Sequence, residues 1–230
     1  MAFNSSRYHL LKVNEEFASG VRAGERVLDA GAGMQPYAHL FSHAEYESAD
    51  FTKVDKSYAP QTYICDLMDI PVEDGRFDHV VFNQVLEHLP EPILVLKELR
   101  RVLKPGGRII CTCPLFYQEH EQPYDFYRYT QFAHQHMFEQ AGFEVSSIEW
   151  LEGYYGTASY QLRGLSRNLP IWPSQGPLWA KISAVPIALA VKLFSVLCAP
   201  LLARLDQHAD TRGSGYPKNY VVLARAKNGA

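Results

Sequence analysis

Short apolar runs alternate with stretches of helical spacing over the first two thirds of the chain. Ser5 or Ser6 can cap a first helix, with Tyr8, Leu11, Phe17 and Val21 roughly along one face. Residues 26–30 (RVLDA) form a short apolar strand, followed by a glycine-bearing turn. Pro36 is placed for the first turn of a following helix. Strands are predicted at 46–50 and 62–67, and a buried one at 77–82 (FDHVVF). A helix over 91–103 is stopped by Lys104-Pro105-Gly106-Gly107, which turns into a strand at 108–113. A helix over 130–141 ends on Gly142, and a sixth strand covers 145–150. The last strand candidate, 219–225 (NYVVLAR), lies far downstream.

Strands alternating with helices from 26 to 150 call for a parallel sheet covered by helices on both faces, a doubly wound α/β fold. The alternation fails between 153 and 217, which reads as a helical insertion. The expected organisation is therefore one domain from 1–152 with 218–230, interrupted by 153–217. Within the insertion, 182–203 has a single charge, Lys192. Its length nominates a membrane span, but a central lysine costs about 2.5–3.5 kcal/mol there. One crossing would also strand 219–225 on the wrong side of the bilayer. At helical spacing, Lys181, Ala184, Ala188, Lys192, Ser195 and Ala199 form a narrow small-or-polar face, and Pro186 and Pro200 are expected to break or kink the segment. The broad apolar remainder of 178–205 needs cover: a second subunit or the protein's own core is preferred, and peripheral contact with a membrane is the alternative. A lid over an acceptor pocket is compatible with either.

Composition narrows the class. Hydrophobic residues make up 47% and charged residues 20%, so the chain is globular rather than disordered. The net charge of −3, with no basic stripe, gives no support for nucleic-acid binding. Cys65, Cys111, Cys113 and Cys198 match neither a zinc site nor a disulfide framework, and the polar N-terminus does not read as a signal peptide. A reducing cytoplasm is the expected compartment, with membrane association as the variant that 178–205 allows.

Candidate chemistry begins at Asp29-Ala30-Gly31-Ala32-Gly33, where glycines let backbone approach a ligand at the end of the first strand. Asp50 ends the second strand, where a carboxylate can accept hydrogen bonds from ribose hydroxyls. Asp66 ends the third, within reach of an adenine amino group. A dinucleotide fingerprint wants a third glycine where Pro36 stands, so a cofactor without pyrophosphate fits better. VLDAGAGMQPY (27–37), the acids at 50 and 66, FDHVVFNQVLEHL (77–89) and LRRVLKPGGRIICTCP (99–114) together resemble the successive motifs of class I S-adenosylmethionine-dependent methyltransferases of the type 11 kind. That resemblance implies a Rossmann-like sheet of seven strands, the last antiparallel and inserted beside the sixth, with S-adenosylmethionine as cofactor. It also implies that Gly31, Ala32 and Gly33 pass under the methionine end, with Asp29 orienting that turn or the methionine amino group. Asp50 would hold the ribose, Phe51 would flank the adenine, Asp66 and Leu67 would meet its edge, and Asn83 would lie by the methionine. Gln35 departs from the pattern, since many members carry glycine there.

The segment 114–130 (PLFYQEHEQPYDFYRYT) follows the fifth strand and is dense in aromatics. It resembles an H-x-x-P-x-D-[FY]-x-R-[FY]-T stretch of bacterial methyltransferases from surface-polysaccharide and natural-product settings. His120 is the candidate general base. Phe116, Tyr117, Tyr124, Arg128 and, from the insertion, Tyr154 are candidate acceptor contacts. Asp125 and Arg128, three apart, read more readily as a structural ion pair. His88 reads as a backbone-bonded histidine at a helix start, while His134 and His136 read as surface residues; no metal site is expected. The implied activity is methyl transfer to oxygen, or else nitrogen, of a small molecule or glycan. The rivals are a nucleotide-binding oxidoreductase and a non-catalytic binding subunit of the same fold.

Overall fold

The computed structural model describes residues 5–208 and 213–228. They group into two compact units, His9–Leu151 with Asn219–Ala230, and Met1–Tyr8 with Glu152–Lys218. The larger unit holds one sheet of seven strands: β1 (Arg26–Ala30), β2 (Glu45–Asp50), β3 (Tyr63–Ile64), β4 (Phe77–Asn83), β5 (Leu103–Pro114), β6 (Phe143–Trp150) and β7 (Asn219–Ala226). Their order is β3-β2-β1-β4-β5-β7-β6. The first five pair in parallel, and β7 runs antiparallel between β5 and β6. Strand order reverses between β1 and β4, so the chain leaves those neighbours in opposite directions and opens a crevice at their carboxyl ends.

Period-two alternation sorts the strand residues between two cores. Leu28, Val80, Phe82, Ile109 and Cys111 face one side. There they meet α2 (Pro92–Val102) through Val95, Leu96, Leu99 and Val102, and α3 (Gln131–Gln140) through Met137 and Phe138. Val27, Val81 and Ile110 face the other side, against Leu10, Phe17 and Ala18 of α1 (Ser5–Ser19), with Val21 just beyond it and Phe41. Both faces of the central strands are thus covered, which is why β4 carries the unbroken apolar run Val80-Val81-Phe82 rather than alternating.

Several elements differ from the sequence expectation. The turn after β1 leads to a single 3-10 turn, Ala38–Phe41, and no α-helix forms at Pro36. The third strand keeps only two residues, because β3 is an edge with β2 alone to pair with. β5 starts at Leu103, with a register shift opposite Phe77 and His79, so the Lys-Pro-Gly-Gly stretch lies within the strand. The buried face of α1 runs through Leu10, Asn14, Phe17 and Ala18, whereas Tyr8 and Leu11 are exposed. Cys111 and Cys113 share a buried sheet face, and all four cysteines are free thiols.

The smaller unit is a helical hairpin, α4 (Tyr154–Asn168) and α5 (Leu178–Leu205). The Ser159 hydroxyl donates to the Ala199 carbonyl (2.7 Å), and the Lys192 ammonium donates to the Ser166 carbonyl, so the helices pack antiparallel. Ala188, Ser195, Ala199 and Ala203 form the buried face of α5. Contrary to expectation, α5 is continuous through Pro186 and Pro200. The carbonyls those prolines leave unbonded, four residues earlier, belong to the exposed Ile182 and Val196 rather than to the packed face.

His134 corrects a surface expectation. It is fully buried on α3, between the rings of Tyr129 (5.5 Å) and Tyr220 (5.8 Å), and neither ring nitrogen has a hydrogen-bond partner among the described residues. Burial pulls its pKa down to about 4. The imidazole is neutral in the native state, while in the unfolded chain it protonates at about 6.5. Between these values only the unfolded state gains the proton, so stability falls as pH drops through that window. We expect about 2 kcal/mol of stability to be lost between pH 7.5 and pH 5 through this residue. Urea unfolding at the two pH values measures it, and the His134→Phe variant should show a correspondingly smaller loss.

Candidate active site

The end of β1 is held against its neighbours by backbone. Gly31 and Ala32 both donate to the Ala49 carbonyl (2.7 and 3.2 Å), which ties the turn to β2. Gly31 has φ +71, and a Cβ there would lie 2.4 Å from Val85 Cγ2, so both conformation and space demand glycine. Gly33 is also left-handed, at φ +52, but faces open space. Gln35 adopts φ +53, a left-handed conformation that glycine takes without strain. Its side-chain amide holds the strained turn by donating to Ser48 Oγ (3.1 Å) and the Pro60 carbonyl (2.7 Å).

Beyond the turn lies a cavity of about 220 Å³. Gly31, Asp50, Phe51, Asp66, Leu67 and Met68 line one side, and Gln84, Val85, His88, Leu89, Pro90, Glu121, Tyr124 and Phe126 the other. Asp50 accepts the amide protons of Gly33 (3.0 Å) and Thr52 (2.9 Å), one on each carboxylate oxygen. Each oxygen keeps a further lone pair for a ligand hydroxyl. Asp66 accepts from the Met68 amide (2.9 Å) and is otherwise exposed. Phe51 meets the Tyr124 ring edge-to-face at 5.4 Å.

The opposite wall is built on the 3-10 turn Leu86–His88. The amides of Phe126 and Tyr127 both donate to the Glu87 carbonyl (2.9 and 3.2 Å), stapling the aromatic loop to this turn. His88 Nδ1 bonds the Tyr124 carbonyl, which can only accept, so Nδ1 carries the proton and Nε2 is left as a base. The His120 ring lies 4.6 Å from that of His88 and 4.8 Å from that of Tyr117. Its Nδ1 lies 3.2 Å from both Asp125 Oδ2 and the Gln118 carbonyl, two acceptors, so here too Nε2 holds the free lone pair. Arg128 clamps Asp125 with both terminal nitrogens (2.6 and 2.8 Å), and this pairing holds the Asp125 carboxyl well below its usual range.

Glu87 sits behind this wall, fully buried. Its Oε1 has no hydrogen-bond partner among the described residues, Oε2 accepts from Cys113 Sγ (3.6 Å), and burial pushes its pKa up to about 7. Donor atoms of Glu87, His88 and His120 lie within 4.8 Å of one another. Their spacing along the chain gives no metal-site signature, yet the fold gathers two imidazoles and a carboxylate there. The sequence marks of this cluster are the Leu86-Glu87-His88 tripeptide and the aromatic loop that carries His120.

Of the residues singled out from the sequence, Gly31, Asp50, Phe51, Asp66, Leu67 and Tyr124 line the cavity. Ala32 and Gly33 belong to the turn beside it, and His120 and Tyr117 stack on its His88 wall. Asp29 and Asn83 are not lining residues. Asp29 is buried and accepts the Tyr46 hydroxyl (2.6 Å), and burial raises its pKa to about 6. Asn83 spends its amide on Asn14 (2.8 Å) and Thr112 (2.8 Å). Phe116 is exposed, and Arg128 is committed to Asp125. Tyr154 lies in the smaller unit, on the first turn of α4, with its ring 5.7 Å from that of Tyr216. The sequence alone did not single out Gln84, Val85, Met68 or Pro90, whose roles depend on loops meeting across the crevice.

A family of methyltransferase domains matches residues 4–151, well over half of the chain, and the protein belongs to that family. Among curated relatives, the demethylmenaquinone methyltransferase of Staphylococcus aureus (strain JH9) is 31% identical over 119 residues, covering 43% of this chain and 49% of the relative. The chain thus spans about half the length of the curated relatives it matches. Among solved structures, the [4+2]-cyclase SpnF superposes with a TM-score of 0.60 at 19% identity, over 97% of this chain and 81% of that one. A putative methyltransferase from Bacillus halodurans C-125 gives 0.57 at 16% identity, over 94% and 98%. These two likenesses show the fold. Residues 4–151 form a methyltransferase domain, for which S-adenosylmethionine is the expected cofactor. The cavity suits that cofactor: a carboxylate with free lone pairs for vicinal hydroxyls, a second for an amino group, and Phe51, Leu67 and Val85 as apolar walls for a flat base.

Gly31→Ala should force β1 and Val85 apart. We expect a loss of roughly 1–3 kcal/mol in denaturant unfolding. Gly33→Ala, with open space at the same kind of φ, should cost less.

Proposed function

We propose that this methyltransferase alkylates an oxygen, or secondarily a nitrogen, of a small molecule or glycan, with His120 as general base. S-adenosylmethionine supplies the methyl as an electrophilic sulfonium substituent. Asp50 takes the ribose hydroxyls on its remaining lone pairs while its other lone pairs keep the glycine turn in place. Phe51 and Leu67 flank the adenine, Asp66 meets its amino group, and Gly31–Gly33 passes under the methionine end. Asp29 and Asn83 act as framework for that end, through Tyr46 and through Asn14 with Thr112.

The carrying observation is the chain of contacts from Arg128 through Asp125 to His120, beside the His88 wall of the cavity. Arg128 keeps Asp125 ionised, Asp125 fixes the His120 backbone amide (2.8 Å), the Gln118 carbonyl takes the Nδ1 proton, and Nε2 is left to take the proton of an acceptor hydroxyl as the new bond forms. Tyr124 and Tyr117 present aromatic surface to the acceptor. We place the reaction in the cytoplasm, consistent with four free thiols. The name of the Staphylococcus aureus relative motivates a second reading, a demethylmenaquinone acceptor.

A methyl-transfer assay against hydroxylated and aminated metabolites, sugars and demethylmenaquinone separates these readings. His120→Ala should lower turnover roughly 10²–10⁴-fold on a hydroxyl acceptor while leaving S-adenosylhomocysteine affinity nearly unchanged. Unchanged turnover would remove the base. Asp50→Ala should weaken S-adenosylhomocysteine in calorimetry by roughly tenfold to a hundredfold, the value of charge-assisted hydrogen bonds. Wild-type affinity in that variant would refute the ribose assignment.

A further inference from the structure

The hairpin of the smaller unit carries a surface that methyl transfer does not explain. Every exposed residue of α5 from Pro186 to Leu201 is apolar, including Ile187 (65%), Leu193 (62%), Val196 (66%) and Leu197 (64%). At about 100° per residue these exposed positions cover roughly half the circumference of the helix, far wider than one helix-packing stripe. By length and composition α5 is apolar enough to cross a membrane, yet most of its side chains are not buried. Lys192, which counted against lipid in the sequence, is turned away from this surface toward the Ser166 carbonyl.

Charge selects the partner. The 53 residues from 153 to 205 contain five bases (Arg163, Arg167, Lys181, Lys192 and Arg204) and no acid, in a chain whose net charge is −3. A symmetric contact with a second copy would set this positive segment against itself. An anionic surface complements it. Trp172, in the connection before α5, and Trp179, on its first turn, are both exposed and are of the residue type that settles at a lipid–water boundary.

Between α4 and α5 lies a cavity of about 450 Å³, lined by Ser159, Arg163, Ser166, Arg167 and Ser195, among others. Arg163 Nη2 and the hydroxyl of Ser195, itself 2% exposed, are shielded from solvent with no hydrogen-bond partner among the described residues. Buried donors of this kind call for an acceptor. Val196, on the apolar surface, lines the same cavity.

We propose that the α4–α5 hairpin docks the enzyme on an anionic phospholipid bilayer, with the apolar half of α5 in the lipid and a lipid phosphate received by Arg163 and Ser195. The docking is one-sided. The chain leaves the sheet after β6 and returns into β7, and Trp150 pairs with Tyr220 there, so α5 cannot carry the chain across.

The test uses the full chain with sedimented vesicles of phosphatidylcholine alone and of a two-to-one mixture with phosphatidylglycerol. The protein should bind the mixed vesicles, with Trp172 and Trp179 quenched by brominated lipid. The double variant Leu193→Glu, Leu197→Glu should abolish binding, and Arg163→Gln should weaken it roughly fivefold. Both variants should retain S-adenosylhomocysteine affinity and helix content, which excludes misfolding. Equal binding to the two vesicle types overturns the proposal, as does wild-type binding by the double variant. Saturation by inorganic phosphate without vesicle binding would assign the pocket to a free anion. A lipid-free dimer in sedimentation velocity, dissociated by the double variant and indifferent to vesicles, would assign the surface to a second copy.

Discussion

The close passage of Gly31 beneath Val85 is the constraint on which the catalytic unit depends. β1 must end there, because a side chain at Gly31 would collide with the residue that follows β4 by two positions. With its amide fixed on Ala49, the turn binds the ends of β1 and β2 together while Val85 seals the third side. β1 and β4 are the strands on either side of the reversal in strand order, and the crevice opens at their carboxyl ends. Asp50 then serves two purposes, closing the turn through the Gly33 amide and presenting its remaining lone pairs outward.

The opposite wall relies on a different physical device. A buried glutamate supplies its backbone carbonyl to two amides of the aromatic loop, and His88 ties that loop again through Tyr124. The side chain of Glu87 is left in a low-dielectric setting that raises its pKa to about 7. Asp125, a few residues along the loop, is pushed the other way by Arg128. One wall therefore holds a carboxyl near neutrality and a carboxylate firmly ionised, with two imidazoles between them, a combination suited to moving a proton.

The hairpin follows opposite rules. In the sheet, apolar side chains are removed from water by helices on both faces. On α5 only a line of small residues is buried, and large aliphatic ones are left outside. Small residues let α4 approach closely, and the continuous helix keeps the outward side unbroken despite two prolines. The proposed docking and the proposed chemistry rest on separate units and on separate observations.

The amino-acid pattern alone determined the alternation of strands and helices, the place of β1 at 26–30, the acids at 50 and 66, the glycine turn and the family. These are local signals: period two, period 3.6, and residue types at strand ends. The tertiary structure decided what depends on neighbours remote in sequence. β3 is two residues long because it has a single partner, and α1 turns Leu10 and Asn14 inward rather than Tyr8 and Leu11 because the sheet lies on that side. His134 is buried because Tyr220, 86 positions away, covers it. The meeting of Glu87 and His88 with His120, and the exposure of α5's large side chains rather than its small ones, come from the same cause. Burial and proximity are properties of paired surfaces, and a linear pattern records only one member of each pair.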